Sequence, residues 1–169
     1  SKKDFAKKIV TKINKLKCGL VLEPGRSLVG NSGVLLTSVV YEKNNYGKNF
    51  LIVDAGMNDI LRPSLYNAYH KIEKVSDSTE NEKTFDIVGP ICETGDVLGR
   101  DVQINNAKKG DILVINSAGA YGHVMSSNYN SKPKAPEVLI HDGKAKLIKK
   151  RETIVQILEN EIILWKSPC

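Results

Sequence analysis

Residues 34–54 read VLLTSVVYEKNNYGKNFLIVD. The two outer runs of this stretch, Val34–Tyr41 and Phe50–Asp54, are rich in β-branched and aromatic residues, and a polar Asn-Asn-Tyr-Gly segment separates them. Two β-forming runs on either side of turn-forming residues predict a β-hairpin.

The chain after this hairpin continues in the same pattern. Strands are predicted at Phe85–Val88, Asp111–Asn116, Val138–His141 and Lys144–Ile148. The last two flank Asp142-Gly143, a strong signal for a two-residue hairpin turn. Polar loops are predicted at 76–83 and 126–136, and a closing helix from about Thr153 is predicted to bury Ile154, Ile157 and Leu158. The prediction is a mainly β, mostly antiparallel domain.

The N-terminal segment has a different character. Residues 1–17 hold seven lysines and one acid, a net charge of 7 − 1 = +6 that accounts for the formal +6 of the whole chain. Phe5, Ile9, Ile13 and Leu16 recur at helical spacing, which predicts an amphipathic helix with the lysines on its solvated face. A surface for nucleic acid or membrane is the less favoured interpretation.

A short apolar run, Gly19–Leu22, follows this helix and predicts a buried strand, with Glu23-Pro24-Gly25-Arg26 at its end. Helix, buried strand and polar loop in this order are typical of a parallel α/β unit. We therefore expect a domain boundary near residue 30, with residues 1–30 belonging to one unit and residues 31–169 forming the β domain.

Composition narrows the class of protein. A chain of 169 residues fits one domain, or one domain and a piece of another. It has no apolar run of the roughly 18 residues that cross a bilayer and no recognisable leader, so the cytoplasm is the simplest location. Cys18, Cys92 and Cys169 are too few and too scattered for a disulfide framework or a zinc site. The histidines, His70, His123 and His141, share no metal-ligand spacing, and no metal site is predicted.

Four motifs place charged or nucleophilic side chains beside turn-forming Gly or Pro. They are Glu23-Pro24-Gly25-Arg26, the segment from Met57 to Tyr66 with Arg62 before Pro63, Pro90-Ile91-Cys92-Glu93-Thr94-Gly95-Asp96, and Ser117-Ala118-Gly119-Ala120-Tyr121-Gly122. Arginine offers a forked donor to phosphate or carboxylate, and a thiol with an ordinary pKa of about 8.5 can donate a proton. Taken singly, Arg26 also fits a surface ion pair, and Cys92 also fits a small buried hydrophobe. The small residues around Tyr121 indicate that something packs closely against that backbone.

The order and spacing of these motifs, with the segment 125–130 (MSSNYN), resemble the C-terminal part of the diaminopimelate decarboxylases, from about Glu23 to Glu159. These are pyridoxal 5'-phosphate enzymes of the alanine-racemase-like fold (fold type III), which make lysine from meso-2,6-diaminopimelate with release of CO2. The resemblance implies an antiparallel β-barrel or sandwich domain, preceded at residues 1–30 by the last helix and strand of a (β/α)8 barrel. It also implies a homodimer whose active sites are shared across the interface.

The resemblance further implies a role for each motif. Glu23 would face the pyridine nitrogen of the cofactor, while Pro24, Gly25, Arg26 and Tyr121 would border its phosphate. Arg62 and Tyr66 would hold the distal carboxylate of the substrate, Glu93 its distal ammonium, and Arg26 and Tyr121 would also reach the substrate. Cys92 would be the catalytic acid that protonates the carbanion, acting with Glu93 in the active site of the partner subunit.

The same resemblance places the Schiff-base lysine and the Gly-rich phosphate loop in a barrel that needs about 250 residues. We therefore expect these 169 residues to be inactive alone. Three alternatives stay open: a related basic amino-acid or carboxynorspermidine-type decarboxylase, a non-catalytic relative, and a basic β-barrel that binds nucleic acid. The aromatic content of 6% and the confinement of charge to one helix disfavour the last.

Overall fold

The computed structural model describes residues 1–16, 18–76 and 81–162. Cys169 and part of the predicted loop at 76–83 lie outside these residues. The helices are α1 (Lys2–Ile13), α2 (Arg26–Val29), α3 (Arg62–Tyr66) and α4 (Ile154–Leu158). The strands are β1 (Leu35–Asn45), β2 (Lys48–Val53), β3 (Ile72–Lys74), β4 (Glu82–Val88), β5 (Val97–Asn105), β6 (Ile112–Ile115), β7 (Glu137–His141) and β8 (Lys144–Lys149).

Six strands form one sheet in the order β3-β6-β1-β2-β4-β5. The predicted hairpin is confirmed: β1 and β2 pair antiparallel, and Tyr46 and Gly47 make the turn with φ of 48° and 80°. β2 and β4 pair in parallel, whereas the other pairings described in this sheet are antiparallel. The sheet is therefore mostly antiparallel, as the sequence predicts.

The sheet curls until its two edge strands approach each other. Cδ1 of Ile72 on β3 would lie 2.9 Å from a Cβ built on Gly99 of β5, so the side chain of one edge occupies the space that the other leaves open. Inside the curl lie fully buried side chains: Leu51, Ile60, Ile87, Leu98, Leu113 and Ile115. The domain is therefore a nearly closed, barrel-like sheet around one apolar core.

The strands β7 and β8 form a separate two-stranded hairpin, which confirms the turn predicted at Asp142-Gly143. The closing helix α4 begins after Thr153, whose hydroxyl accepts a hydrogen bond from the backbone N–H of Gln156. The predicted burial of its apolar side chains is wrong for Ile154 and Leu158, which are 51% and 54% exposed. In the part of the chain described, no other element covers that side of α4.

The N-terminal segment confirms one prediction and corrects another. α1 forms where the apolar spacing predicts it. The prediction of a buried strand at Gly19–Leu22 is wrong for this chain, since these residues form no strand and Val21 is 87% exposed. A buried strand needs a neighbour on each side to pair with, and no described strand pairs with this segment.

Candidate functional site

Four of the predicted site residues line one cavity. Its volume is about 430 Å³, and its lining consists of Arg26, Arg62, Tyr66, Tyr121 and Met125. Three separate parts of the chain supply them: the start of α2, the helix α3, and the segment after β6. The cavity therefore combines two guanidinium groups with two phenols, a set of donors suited to a phosphate or a carboxylate.

The segment 117–122, which carries Tyr121, is held tightly against the turn at Gly30–Ser32 that follows α2. The backbone N–H of Gly119 donates to the carbonyl of Gly30 at 3.0 Å, and that of Ala118 donates to Gly33 at 2.8 Å. Tyr121 has a φ of 59°, a left-handed conformation that is uncommon outside glycine and that packing must support. The close packing predicted for this backbone is thus observed, and it places Tyr121 beside Arg26.

Helix α3 presents Arg62 and Tyr66 to the same cavity. Pro63 stands in its first turn, where the missing N–H costs no hydrogen bond, and Asn67 ends it in the left-handed conformation with a φ of 53°. The hydroxyl of Ser64 donates to the carbonyl of Gly95 at 2.7 Å, which ties α3 to the loop that carries Cys92. The predicted helix start at Arg62, with Tyr66 one turn later, is confirmed.

Cys92 and Glu93 are exposed and lie outside the cavity lining. One carboxylate oxygen of Glu93 accepts from the backbone N–H of Gly95 at 3.3 Å, and the other accepts from the phenol of Tyr129 at 3.4 Å. Cys92 is a free thiol, and because it is exposed the interpretation of this residue as a small buried hydrophobe is wrong. Both side chains are therefore accessible to another molecule.

The first motif is only partly brought to the cavity. Arg26 lines it, and a Cβ on Gly25 would lie 4.0 Å from the phenol oxygen of Tyr121. Glu23 and Pro24 are exposed and are not among the residues that line the cavity. Their predicted contacts with a cofactor stay predictions.

Sequence reasoning passed over Asp96 as a simple loop residue. Its side chain is buried, and its two oxygens accept from the backbone N–H groups of Met57 at 2.6 Å and Ile91 at 2.8 Å. Burial raises the pKa of Asp96, while the two backbone hydrogen bonds act in the opposite direction. An acid next to glycine at the end of a motif was the available signal, but a turn residue has the same signature.

Asp59 is a second carboxyl close to the site. It accepts from the backbone N–H of Gly56 at 3.0 Å. Burial raises its pKa, and the hydrogen bond from Gly56 and the charges of Lys132 and Arg151 offset only part of that effect. The carboxylate therefore costs stability in its charged form.

No group of three or more His, Cys, Asp or Glu side chains in 1–16, 18–76 and 81–162 is arranged to hold a metal ion. Over the same residues, none of the helices combines the length and apolar character needed to cross a bilayer.

Comparison with known proteins gives a consistent family. The sequence profile described as "Pyridoxal-dependent decarboxylase, C-terminal sheet domain" matches residues 10–119. Diaminopimelate decarboxylase of Aquifex aeolicus is 49% identical over 92% of this chain, and that of Neisseria meningitidis serogroup A is 51% identical over 94%. The chain spans 37% and 39% of the length of these two relatives.

Solved structures agree with the sequence comparison. The crystal structure of diaminopimelate decarboxylase from Helicobacter pylori complexed with L-lysine is 44% identical, with a TM-score of 0.82 over 92% of this chain and 38% of that one. The structure of the M. jannaschii enzyme in co-complex with L-lysine gives a TM-score of 0.90 at 38% identity, over 96% of this chain and 38% of that one.

Proposed function

This chain belongs to the pyridoxal-dependent decarboxylases, as their C-terminal sheet domain, and we propose that the complete protein converts meso-2,6-diaminopimelate to L-lysine and CO2. The observation that carries the proposal is the cavity in which Arg26, Arg62, Tyr66 and Tyr121 meet. Relatives named diaminopimelate decarboxylase, at 49% and 51% identity, support the same assignment.

Arg62 and Tyr66 recognise the distal carboxylate of the substrate in this proposal. A guanidinium and a phenol one helical turn apart can both donate to one carboxylate. A substrate without that carboxylate, such as ornithine, leaves the Arg62 guanidinium unpaired, and unpaired polar groups in a site give strong discrimination. Glu93, held by Tyr129 and Gly95, accepts hydrogen bonds from the distal ammonium.

The donor set also fits pyridoxal 5'-phosphate. Arg26 and Tyr121 provide a cation and a hydroxyl at one wall of the cavity, and Gly25 leaves its backbone open to close approach. These residues would hold the phosphate, with Pro24 fixing the turn and Glu23 at the pyridine nitrogen. When bound, the cofactor supplies an electron sink for the pair left behind as the carboxyl group leaves as CO2.

Cys92 completes the reaction by transferring its thiol proton to the α-carbon that has lost CO2. The thiol is exposed on this chain, beside Glu93. We propose that both residues enter the active site of a second copy, so that the protein acts as a homodimer with shared sites. Their exposure on a loop outside the cavity of their own chain supports this arrangement.

Residues 1–30 are proposed to belong to the cofactor-binding barrel, and residues 31–169 to the β domain. The exposed apolar side chains of Leu20, Val21 and Leu22 support this division, because a strand in a barrel would bury them. The cytoplasm is the proposed location.

The test uses the complete protein loaded with pyridoxal phosphate and offered meso-diaminopimelate and ornithine in parallel. Lysine from the first substrate and no product from the second is the expected result. A diamine from ornithine would assign the protein to the basic amino-acid decarboxylases instead. No product from either would make it a non-catalytic relative.

A further inference from the structure

Two loops that carry different parts of the proposed active site meet at one buried carboxylate. The first runs from Gly56 into α3, which bears Arg62 and Tyr66, and the second runs from Gly89 to Asp96 and bears Cys92 and Glu93. Asp96 Oδ1 accepts from the backbone N–H of Met57 at 2.6 Å in the first loop, and Asp96 Oδ2 accepts from Ile91 at 2.8 Å in the second.

The surroundings of Asp96 are shaped to hold a carboxylate. Its side chain is 3% exposed, so water does not compete strongly for either hydrogen bond. A Cβ on Gly56 would lie 3.0 Å from Oδ2, and a Cβ on Gly89 would overlap the same carboxylate. The two loops thus approach the carboxylate at positions where both lack a side chain.

A second tether joins the same two loops. The Ser64 hydroxyl, on α3 between Arg62 and Tyr66, donates to the carbonyl of Gly95 at 2.7 Å. Together the two contacts fix the position of α3 relative to the loop that carries Cys92.

We propose that Asp96, with Ser64 as a second tether, is a positioning residue that sets the Cys92–Glu93 loop relative to Arg62 and Tyr66. This inference rests on the proposed function. In a homodimer with shared sites, Arg62 and Tyr66 serve the active site of their own chain and Cys92 serves that of its partner. Asp96 therefore links the substrate-binding residues of one active site to the proton donor of the other.

The sharpest variant is Asp96→Asn in the complete, cofactor-loaded protein. Asparagine keeps the volume but has a single acceptor oxygen, so its amide N–H₂ must face one of the two backbone N–H donors. One loop is then released. The matched control is Asp86→Asn, because Asp86 is 2% exposed and accepts from the backbone N–H of Asp101 at 2.9 Å, while its charged neighbours, Lys48 and Arg100, are not site residues.

Four quantities are measured on each variant: the thermal midpoint, kcat, KM for meso-diaminopimelate, and the rate at which iodoacetamide alkylates Cys92. We expect Asp96→Asn to lower kcat at least about tenfold, since small misplacements of reacting groups are costly, and to change the alkylation rate several-fold. Asp86→Asn is expected to lower the thermal midpoint while leaving kcat and alkylation within about twofold of wild type. Equal effects of the two variants on kcat and alkylation would overturn the proposal and leave Asp96 a purely structural residue.

The proposal can still be tested if the wild-type protein is inactive or if Asp96→Asn does not fold. If the wild-type protein does not decarboxylate meso-diaminopimelate, the proposed function fails, and the alkylation rate alone then decides the role of Asp96. If Asp96→Asn does not fold, Ser64→Ala removes the second tether without burying an unpaired group. A fall in kcat with altered alkylation in that variant supports the proposal, and wild-type values for both overturn it.

Discussion

Gly33 and Gly119 pack backbone against backbone: a Cβ built on Gly33 would lie 2.7 Å from the Cα of Gly119. A Cβ on Gly119 would in turn overlap the carbonyl oxygen of Val29. This contact joins the segment that follows Arg26 to the segment that contains Tyr121. The relative position of the two proposed cofactor-phosphate ligands therefore depends on the absence of two side chains.

Gly119→Ala is expected to lower the free energy of unfolding by about 1–3 kcal/mol or more, because the neighbouring atoms are backbone and cannot rotate away. The affinity for pyridoxal phosphate should fall as Tyr121 shifts. Denaturant unfolding and cofactor titration of the complete protein measure the two effects. Gly143→Ala, in the β7–β8 turn, is the control: a Cβ there meets nothing within 4 Å, so it costs stability only through its left-handed φ of 70° and should leave cofactor affinity unchanged. An equal loss of cofactor affinity in both variants would contradict the prediction.

The regular parts of the fold are predictable from the sequence because their signals are local. The β1–β2 hairpin follows from two β-forming runs around Tyr46-Gly47, and the β7–β8 hairpin follows from Asp142-Gly143. The start of α4 follows from the capping residue Thr153. In each case a few neighbouring residues determine the backbone geometry.

Two strands escaped prediction because their patterns are interrupted or short. In β5, Gly99, Arg100 and Asp101 break the apolar alternation, and the structure has an irregular register there, with a φ of 50° at Asp101. β3 has only three residues. Both are strands because β4 and β6 provide partners, which is a tertiary cause that a local pattern does not contain.

The candidate site divides in the same way. The residue types of Arg26, Arg62, Tyr66 and Tyr121 are visible in the sequence. Strands separate Arg26 from Arg62 and Tyr66, and these from Tyr121, so the four residues meet in one cavity only when those strands fold into the sheet. The buried strand predicted at Gly19–Leu22 fails for the opposite reason. Its apolar pattern is present, yet no described strand pairs with it.

Asp59 makes stability depend on pH. Burial raises its pKa above the ordinary value of 3.8, so the folded state binds the proton more tightly than the unfolded state does. The stability contributed by Asp59 is full below about pH 3.8 and is lost as pH rises through the folded pKa. Asp59→Asn keeps an acceptor for the N–H of Gly56 and removes the partly buried charge. The free energy of unfolding of this variant, relative to wild type, should therefore increase from pH 4 to pH 7, and denaturant unfolding at both values measures it; a difference that is independent of pH would show that Asp59 titrates alike in the two states.

Arg62→Ala tests recognition of the distal carboxylate. The variant loses a charge-assisted hydrogen bond of about 1.5–3 kcal/mol, so KM for meso-diaminopimelate should rise by roughly ten- to hundredfold, while the thermal midpoint stays close to that of wild type. Arg100→Ala is the matched control, because Arg100 is 63% exposed and pairs with Asp86 at 3.7 Å. A collapsed thermal transition in Arg62→Ala would assign Arg62 to the fold instead of to the substrate.

Cys92→Ala separates proton donation from cofactor binding. The Cys92 thiol is exposed, so removal of the thiol leaves the packing of the core unchanged. Asp96 holds the backbone of the same loop by accepting from the N–H of Ile91. We expect turnover of meso-diaminopimelate to fall by a factor of about 10²–10⁴, the usual contribution of a positioned proton donor, with cofactor absorbance retained. Cys18→Ala is the control, since Cys18 is also a free cysteine but belongs to none of the four motifs. Loss of cofactor from Cys92→Ala would contradict the role as proton donor, because a proton donor acts only after the cofactor and the substrate are in place. Equal turnover in the two variants would also remove Cys92 from the chemistry.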